Sequence, residues 1–145
     1  DHYEISNYAL PGRHSRHNSS YWQGEAYYGF GPSAHAYDGK KRRSWNVANN
    51  ALYLQSLAKD LLPFEEEILT AAQQANEYIM TALRTREGIS ITMIRSLLQE
   101  NEFHTFESTA RKWENSGHLI VRESRLSLTR EGKLFADGIA ADLFL

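Results

Sequence analysis

The chemistry open to this chain is set by its histidines. It has six His and no Cys, so its own residues can form no disulfide, thiolate metal site or cysteine-bound iron–sulfur cluster. His14 and His17 are three residues apart, and His35 follows eighteen later. A neutral imidazole is a ligand for transition metals and for haem iron. Tyr21, Trp22, Tyr27, Tyr28 and Phe30 lie among these histidines and could wall a flat apolar ligand. The competing reading is a histidine that satisfies hydrogen bonds in a structured loop. Spacing alone does not separate the two, and no acidic partner in the run completes a triad.

Two further runs invite a functional reading. Gly29-Phe30-Gly31-Pro32-Ser33-Ala34 looks like a phosphate-cradling loop, but Pro32 lacks a backbone donor and no Lys follows at the required spacing. Its glycines are expected instead to let backbone pass close to another segment or a ligand. Lys40-Lys41-Arg42-Arg43 could meet a propionate or a phosphate; the alternative is a solvated loop. Asn46, Asn49 and Asn50 fit turn and cap chemistry.

The elements that must position these residues fall into two parts. Tyr3-Glu4-Ile5-Ser6 alternates as a strand, and a strand needs partners, so it is expected to be the last strand of a sheet whose other members lie outside the chain. That start, and a first residue other than Met, suggest part of a larger protein. A helix is expected at about 49–62, and Pro63 then marks a boundary between parts 1–62 and 63–145. Glu65, Glu66 and Glu67 are read as the first turn of a long helix, at the positive end of its dipole. Ile68, Leu69, Ala72, Ala75, Ile79, Met80 and Leu83 would be its buried stripe, and Gly88 its stop. Ser90 is expected to cap a second helix with Ile91, Ile94, Leu97 and Leu98 on one face. A third, at about 104–115, turns Phe106, Ala110 and Trp113 inward and ends at Gly117. A hairpin of 119–121 and 126–128 turns at Glu123-Ser124, and Thr129 caps a last helix bearing Leu134, Phe135, Ile139 and Leu143.

Helix, helix, helix, hairpin, helix is a winged-helix-like order. Affinity for DNA needs cations for the phosphates. Here the third helix sets Glu107 and Glu114 against Arg111 and Lys112, and residues 63–145 carry nine Lys/Arg against thirteen Asp/Glu. That balance favours a packing or docking domain over nucleic-acid binding. The whole chain is near neutral at −2, and no apolar run is long enough to span a bilayer. With no signal peptide at its start, a cytoplasmic location is the default expectation.

Taken in order, five motifs resemble those of one family. They are Tyr3-Glu4-Ile5-Ser6-Asn7-Tyr8-Ala9, His17-Asn18-x-x-Tyr21-Trp22, Tyr28 through His35, Arg43-Ser44-Trp45-Asn46, and Leu83-Arg84-Thr85-Arg86-Glu87-Gly88-Ile89. Their sequence and separation resemble the HemW branch of the HemN-like radical S-adenosylmethionine proteins, over essentially the whole chain. The resemblance implies an α+β chain: the end of a radical-SAM partial β/α barrel, then a mainly helical, winged-helix-like C-terminal domain. It implies a parent protein with a [4Fe–4S] cluster on a Cys-x3-Cys-x2-Cys loop and bound S-adenosylmethionine. Those cysteines are absent here, so catalysis would belong to the intact parent. It further implies a haem chaperone in which His17 contacts haem iron, with Tyr21, Trp22 and His35 at the cofactor. Its partners would be haem or porphyrin and a haem-accepting protein, with self-association as a homodimer and a peripheral place at a membrane both left open. The alternatives are an oxygen-independent coproporphyrinogen III oxidase and a non-catalytic interaction module.

Overall fold

The computed structural model describes all 145 residues, Asp1–Leu145. The chain opens with β1 (His2–Glu4), β2 (Asn7–Tyr8) and α1 (Arg16–Trp22). It continues through β3 (His35–Tyr37), β4 (Arg42–Asn46), α2 (Asn50–Leu57) and β5 (Phe64–Ile68). Then come α3 (Ala71–Leu83), β6 (Ile89–Ser90), α4 (Ile91–Leu97), α5 (Glu100–Asn115), β7 (Leu119–Arg122) and β8 (Arg125–Leu128). A 3₁₀ turn, Gly132–Phe135, leads into α6 (Ala136–Leu143). Two compact units result, residues 1–24 with 71–145, and residues 25–70.

The first unit holds the main core. Ala75, Ile79, Ala82 and Leu83 of α3 are buried at helical spacing against Ile94, Phe103, Phe106, Leu119, Leu126 and Ile139. Met80, expected on that stripe, is half exposed, and Ile68 and Leu69 precede the helix altogether. Ser90 caps α4 by accepting from the Met93 N–H, as its type and position predict. α5 begins at Glu100, a turn before its expected start, because Gln99 and Glu102 form a reciprocal capping box. Thr129 caps the 3₁₀ turn, its Oγ1 accepting from Gly132 N–H at 3.0 Å. The β7–β8 hairpin turns on Glu123 and Ser124, both at positive φ, the geometry that matches strand twist. β8 lies between β7 and β6 in an antiparallel sheet. Gly88, at φ +68°, leads into β6 where a Cβ would sit 2.4 Å from the Leu126 carbonyl oxygen; no other residue fits.

The first strand is not unpartnered. β1 pairs with β2 in a tight antiparallel hairpin, and its other edge bonds to the segment after α3: Ile5 N–H donates to Arg84 O at 3.0 Å and Arg86 N–H to Tyr3 O at 3.1 Å. The expectation of a strand lacking partners is therefore corrected. Residues 1–24 are part of the helical unit.

The second unit is an antiparallel sheet in the order β3-β4-β5, with α2 capped by the Asn49 side chain. Here the reading of Glu65–Glu67 as a helix start is overturned, since they belong to β5. Their register on β4 sets Arg43 against Glu67, and ion pairs join Arg42 to Glu66 at 3.5 Å and Arg43 to Glu67 at 3.9 Å. Cations on the neighbouring strand β4, rather than a helix dipole, pair with Glu66 and Glu67. A division at Pro63 would cut β5 from β4, so the units part at Thr70 instead. α2 is shorter than expected and turns at Asp60, which has positive φ.

Core truncation at Ile79→Ala is expected to cost roughly 2–5 kcal/mol, while Met80→Ala, half exposed on the same helix, costs less than about 1 kcal/mol. Urea unfolding of the two variants measures both.

Candidate functional site

The run of interest forms α1. Ser15 caps it, its Oγ accepting from Asn18 N–H at 3.3 Å. Four positions apart on the helix, His17 and Tyr21 share one face, their rings edge to face with centroids 6.0 Å apart. The His17 ring is exposed and neither of its nitrogens is hydrogen-bonded within the chain. Tyr21 is also exposed.

The opposite side of α1 is anchored. Asn18 Nδ2 donates to Asn7 Oδ1 at 3.2 Å, and the Asn7 amide donates in turn to the Glu4 carboxylate. Glu4 is 1% exposed, and also accepts from Ser6 N–H at 2.9 Å and from Arg84 Nε at 3.0 Å. Arg84 continues to Asp137 at 3.2 Å, and its guanidinium carbon stands 5.3 Å from the centre of the Trp22 ring. One buried carboxylate thus joins the β1–β2 hairpin, α1, the end of α3 and α6. Burial pushes the Glu4 carboxyl up, but the bonds from Ser6, Asn7 and Arg84, with the Arg84 charge, outweigh it and hold the group below the ordinary carboxylate range.

Trp22 belongs to this anchor, not to the His17–Tyr21 face. It lines a cleft of about 320 Å³ with Tyr3, His14, Tyr78 and Arg125, and its buried Nε1–H has no partner. His14 is engaged too: it stacks on Tyr3 with centroids 4.4 Å apart and bonds Asp1 at 2.9 Å. No group of three or more His, Asp or Glu side chains comes together to hold a metal ion.

The remaining expected residues lie in the second unit. His35 is exposed on β3, opposite Trp45 of β4, with ring centroids 6.2 Å apart. Tyr28 and Phe30 are both exposed, their rings 6.4 Å apart. A Cβ at Gly29 would meet the His35 carbonyl oxygen at 2.3 Å, the close backbone passage that the glycine implied. Asn46 holds this loop, its Nδ2 donating to Gly31 O at 2.9 Å and Gly29 O at 3.3 Å. Asp38 organises the cationic turn. Its Oδ1 accepts from Lys40, Lys41 and Arg42 N–H at 2.8, 2.9 and 3.0 Å, and the Arg42 N–H leads the effects that lower its carboxyl.

Residue types and spacing alone did not mark Glu4, Asn7 and Arg84 as site residues. The available signal was a charged residue at an inward position on both elements: Glu4 beside Tyr3 in the strand, and Arg84 directly after Leu83 in the apolar stripe.

These features define a class of protein. Residues 69–135 match the HemN C-terminal domain. The structure of coproporphyrinogen III oxidase (HemN) from Escherichia coli, a radical SAM enzyme, is similar with a TM-score of 0.61 over 79% of this chain and 27% of that one. At 18% identity that likeness is one of fold. The chain belongs to the HemN-like family, as a HemW-type member. It is 32% identical over 94% of its length to the heme chaperone HemW of Bacillus subtilis, and 34% identical over 97% to that of Mycobacterium tuberculosis. It spans about a third of these relatives, 36% and 34% of their lengths.

Since the Glu4 carboxyl is lowered in the folded state, its contribution to stability is complete above the ordinary glutamate value of about 4.3 and is lost as pH falls through the lower folded value. Arg84→Ala, which strips the buried charge of its ion partner but leaves two other donors, is expected to cost roughly 3 kcal/mol at neutral pH. Melting temperatures of wild type, Arg84→Ala and Glu4→Gln between pH 3 and 7 test both statements. A Glu4→Gln profile as steep as wild type below pH 5 would rule out the assignment.

Proposed function

We propose that this chain is the C-terminal part of a HemW-like haem chaperone, which holds haem for delivery to an acceptor protein in the cytoplasm, and that His17 contacts the haem iron. The observation that carries the reading is the His17 imidazole, exposed, unbonded, and presented on a helix whose other side is fixed through Asn18. Bound haem would supply an iron centre able to accept an imidazole nitrogen. Toward it, His17 offers a ring nitrogen and Tyr21 an aromatic edge, while Trp22 keeps α1 seated under Arg84. Arg13 and Arg16, exposed and close to His17 in sequence, are available for the carboxylates. Arg42 and Arg43 of the cationic run are already matched by Glu66 and Glu67.

In this proposal residues 25–70 are the end of the partial barrel, and the following domain, from about residue 69, is winged-helix-like. α2 buries no residue, and Leu52, Leu54, Leu61 and Leu62 are largely exposed. Preceding barrel elements would cover them in a protein of the relatives' length. The radical-SAM cluster and S-adenosylmethionine would be held by those preceding elements, because this chain has no cysteine to contribute. No helix here is long and apolar enough to cross a membrane.

Haem titration followed at the Soret band tests the reading, both in this chain and in a protein of the relatives' length. His17→Ala is expected to abolish the histidine-ligated spectrum and Tyr21→Ala to weaken binding several-fold, about 1 kcal/mol. Identical titrations of wild type and His17→Ala would remove His17 from the site.

A further inference from the structure

A groove in the first unit lies between the Arg84–Arg86 turn after α3 and the β7–β8 hairpin. It encloses about 380 Å³, and its lining includes Arg84, Arg86, Arg122, Arg130 and Lys133 but no carboxylate. Two of these cations are neutralised: Arg84 by Glu4 and Asp137, and Arg86 by Asp1 and Glu87. The other three are not. Arg122 and Arg130 are exposed and make no ion pair or side-chain hydrogen bond. Lys133 Nζ donates to His2 Nδ1 at 2.9 Å. The His2 Nε2 is engaged with the Ile5 carbonyl at 2.9 Å, which leaves its Nδ1 to accept from the lysine.

Nothing in folding accounts for this arrangement. Residues 63–145 hold more carboxylates than cations, thirteen against nine, yet none faces these three side chains. Glu123 and Glu131, adjacent in sequence, are exposed, make no ion pair and lie outside the lining. Register also sets Arg122 directly opposite Arg125, a like-charge cross-strand pair that costs stability. Ser127, whose hydroxyl is not engaged elsewhere, adds a donor to the same lining.

We infer that this groove binds an oxyanion ligand of the phosphate type, carrying two or more negative charges. The Arg122 and Arg130 guanidiniums supply forked donors, Lys133 a point charge and Ser127 a hydroxyl, the complement that phosphate oxygens require. The volume suits a small phosphate ester or diphosphate. A soluble ester and a lipid headgroup share this chemistry. The inference is independent of the haem reading.

Calorimetric titration of the 145-residue chain with inorganic pyrophosphate tests it, alongside flotation with vesicles containing phosphatidylglycerol. One-to-one pyrophosphate binding is expected, weakened roughly tenfold or more in the double variant Arg122→Gln/Arg130→Gln. Arg111→Gln, an equal loss of charge on α5 outside the groove, should change it by less than about twofold. The double variant Arg122→Lys/Arg130→Lys should retain part of the affinity. Amide shifts in the unaltered chain should move at Arg122, Ser127, Arg130 and Lys133, a readout that needs no variant to fold. Vesicle binding lost in the same Gln double variant would name a lipid headgroup as the source; pyrophosphate binding without vesicle binding would name a soluble ester. The inference fails if neither pyrophosphate nor vesicles bind, or if the Gln double variant binds like wild type. It also fails if only duplex DNA binds through these residues.

Discussion

A carboxylate removed from water must find enough donors to replace its hydration, and Glu4 does so by drawing four parts of the chain to itself. Ser6 and Asn7 come from its own hairpin, and Arg84 comes from the far end of α3, eighty positions later. Asn7 extends the network to Asn18 of α1, and Arg84 extends it to Asp137 of α6 and over the Trp22 ring. A seven-residue helix has little stability of its own. The orientation of α1, and so of His17, is inherited from this buried centre.

That dependence explains why three of the five family motifs behave as one structural unit. The strand motif supplies Glu4 and Asn7, the histidine run supplies Asn18 and Trp22, and the motif after α3 supplies Arg84. The other two motifs form a second construction inside residues 25–70. There Asn46 ties the glycine loop to β4, Asp38 accepts the backbone N–H groups of the β3–β4 turn, and Arg42 and Arg43 of β4 pair with glutamates of β5. Opposite charges on neighbouring strands do there what a buried pair does in the first unit, at the surface and with less energy at stake.

Features fixed by local chemistry were legible from the residues alone. The Ser90 cap, the Glu123-Ser124 turn, the hairpin it closes, and the Ile79 and Phe106 faces depend on neighbours within a few positions. The family and its order of elements were legible for the same reason, since short motifs survive in sequence. What escaped depended on distant partners. Three consecutive glutamates suit a helix start as well as a strand, and only Arg42 and Arg43 across the sheet decide between them. Glu4 and Arg84 carry no local sign of each other. Likewise Tyr21 and Trp22 are adjacent in sequence, yet the turn of the helix sends one to solvent beside His17 and the other beneath Arg84.

The central claim is that the buried Glu4 centre, rather than helix propensity, holds α1 in place. Amide hydrogen exchange in wild type and Glu4→Gln measures this directly. Exchange across Arg16–Trp22 is expected to accelerate by roughly tenfold or more while α5 remains protected. Unchanged protection of α1 in Glu4→Gln would contradict the account.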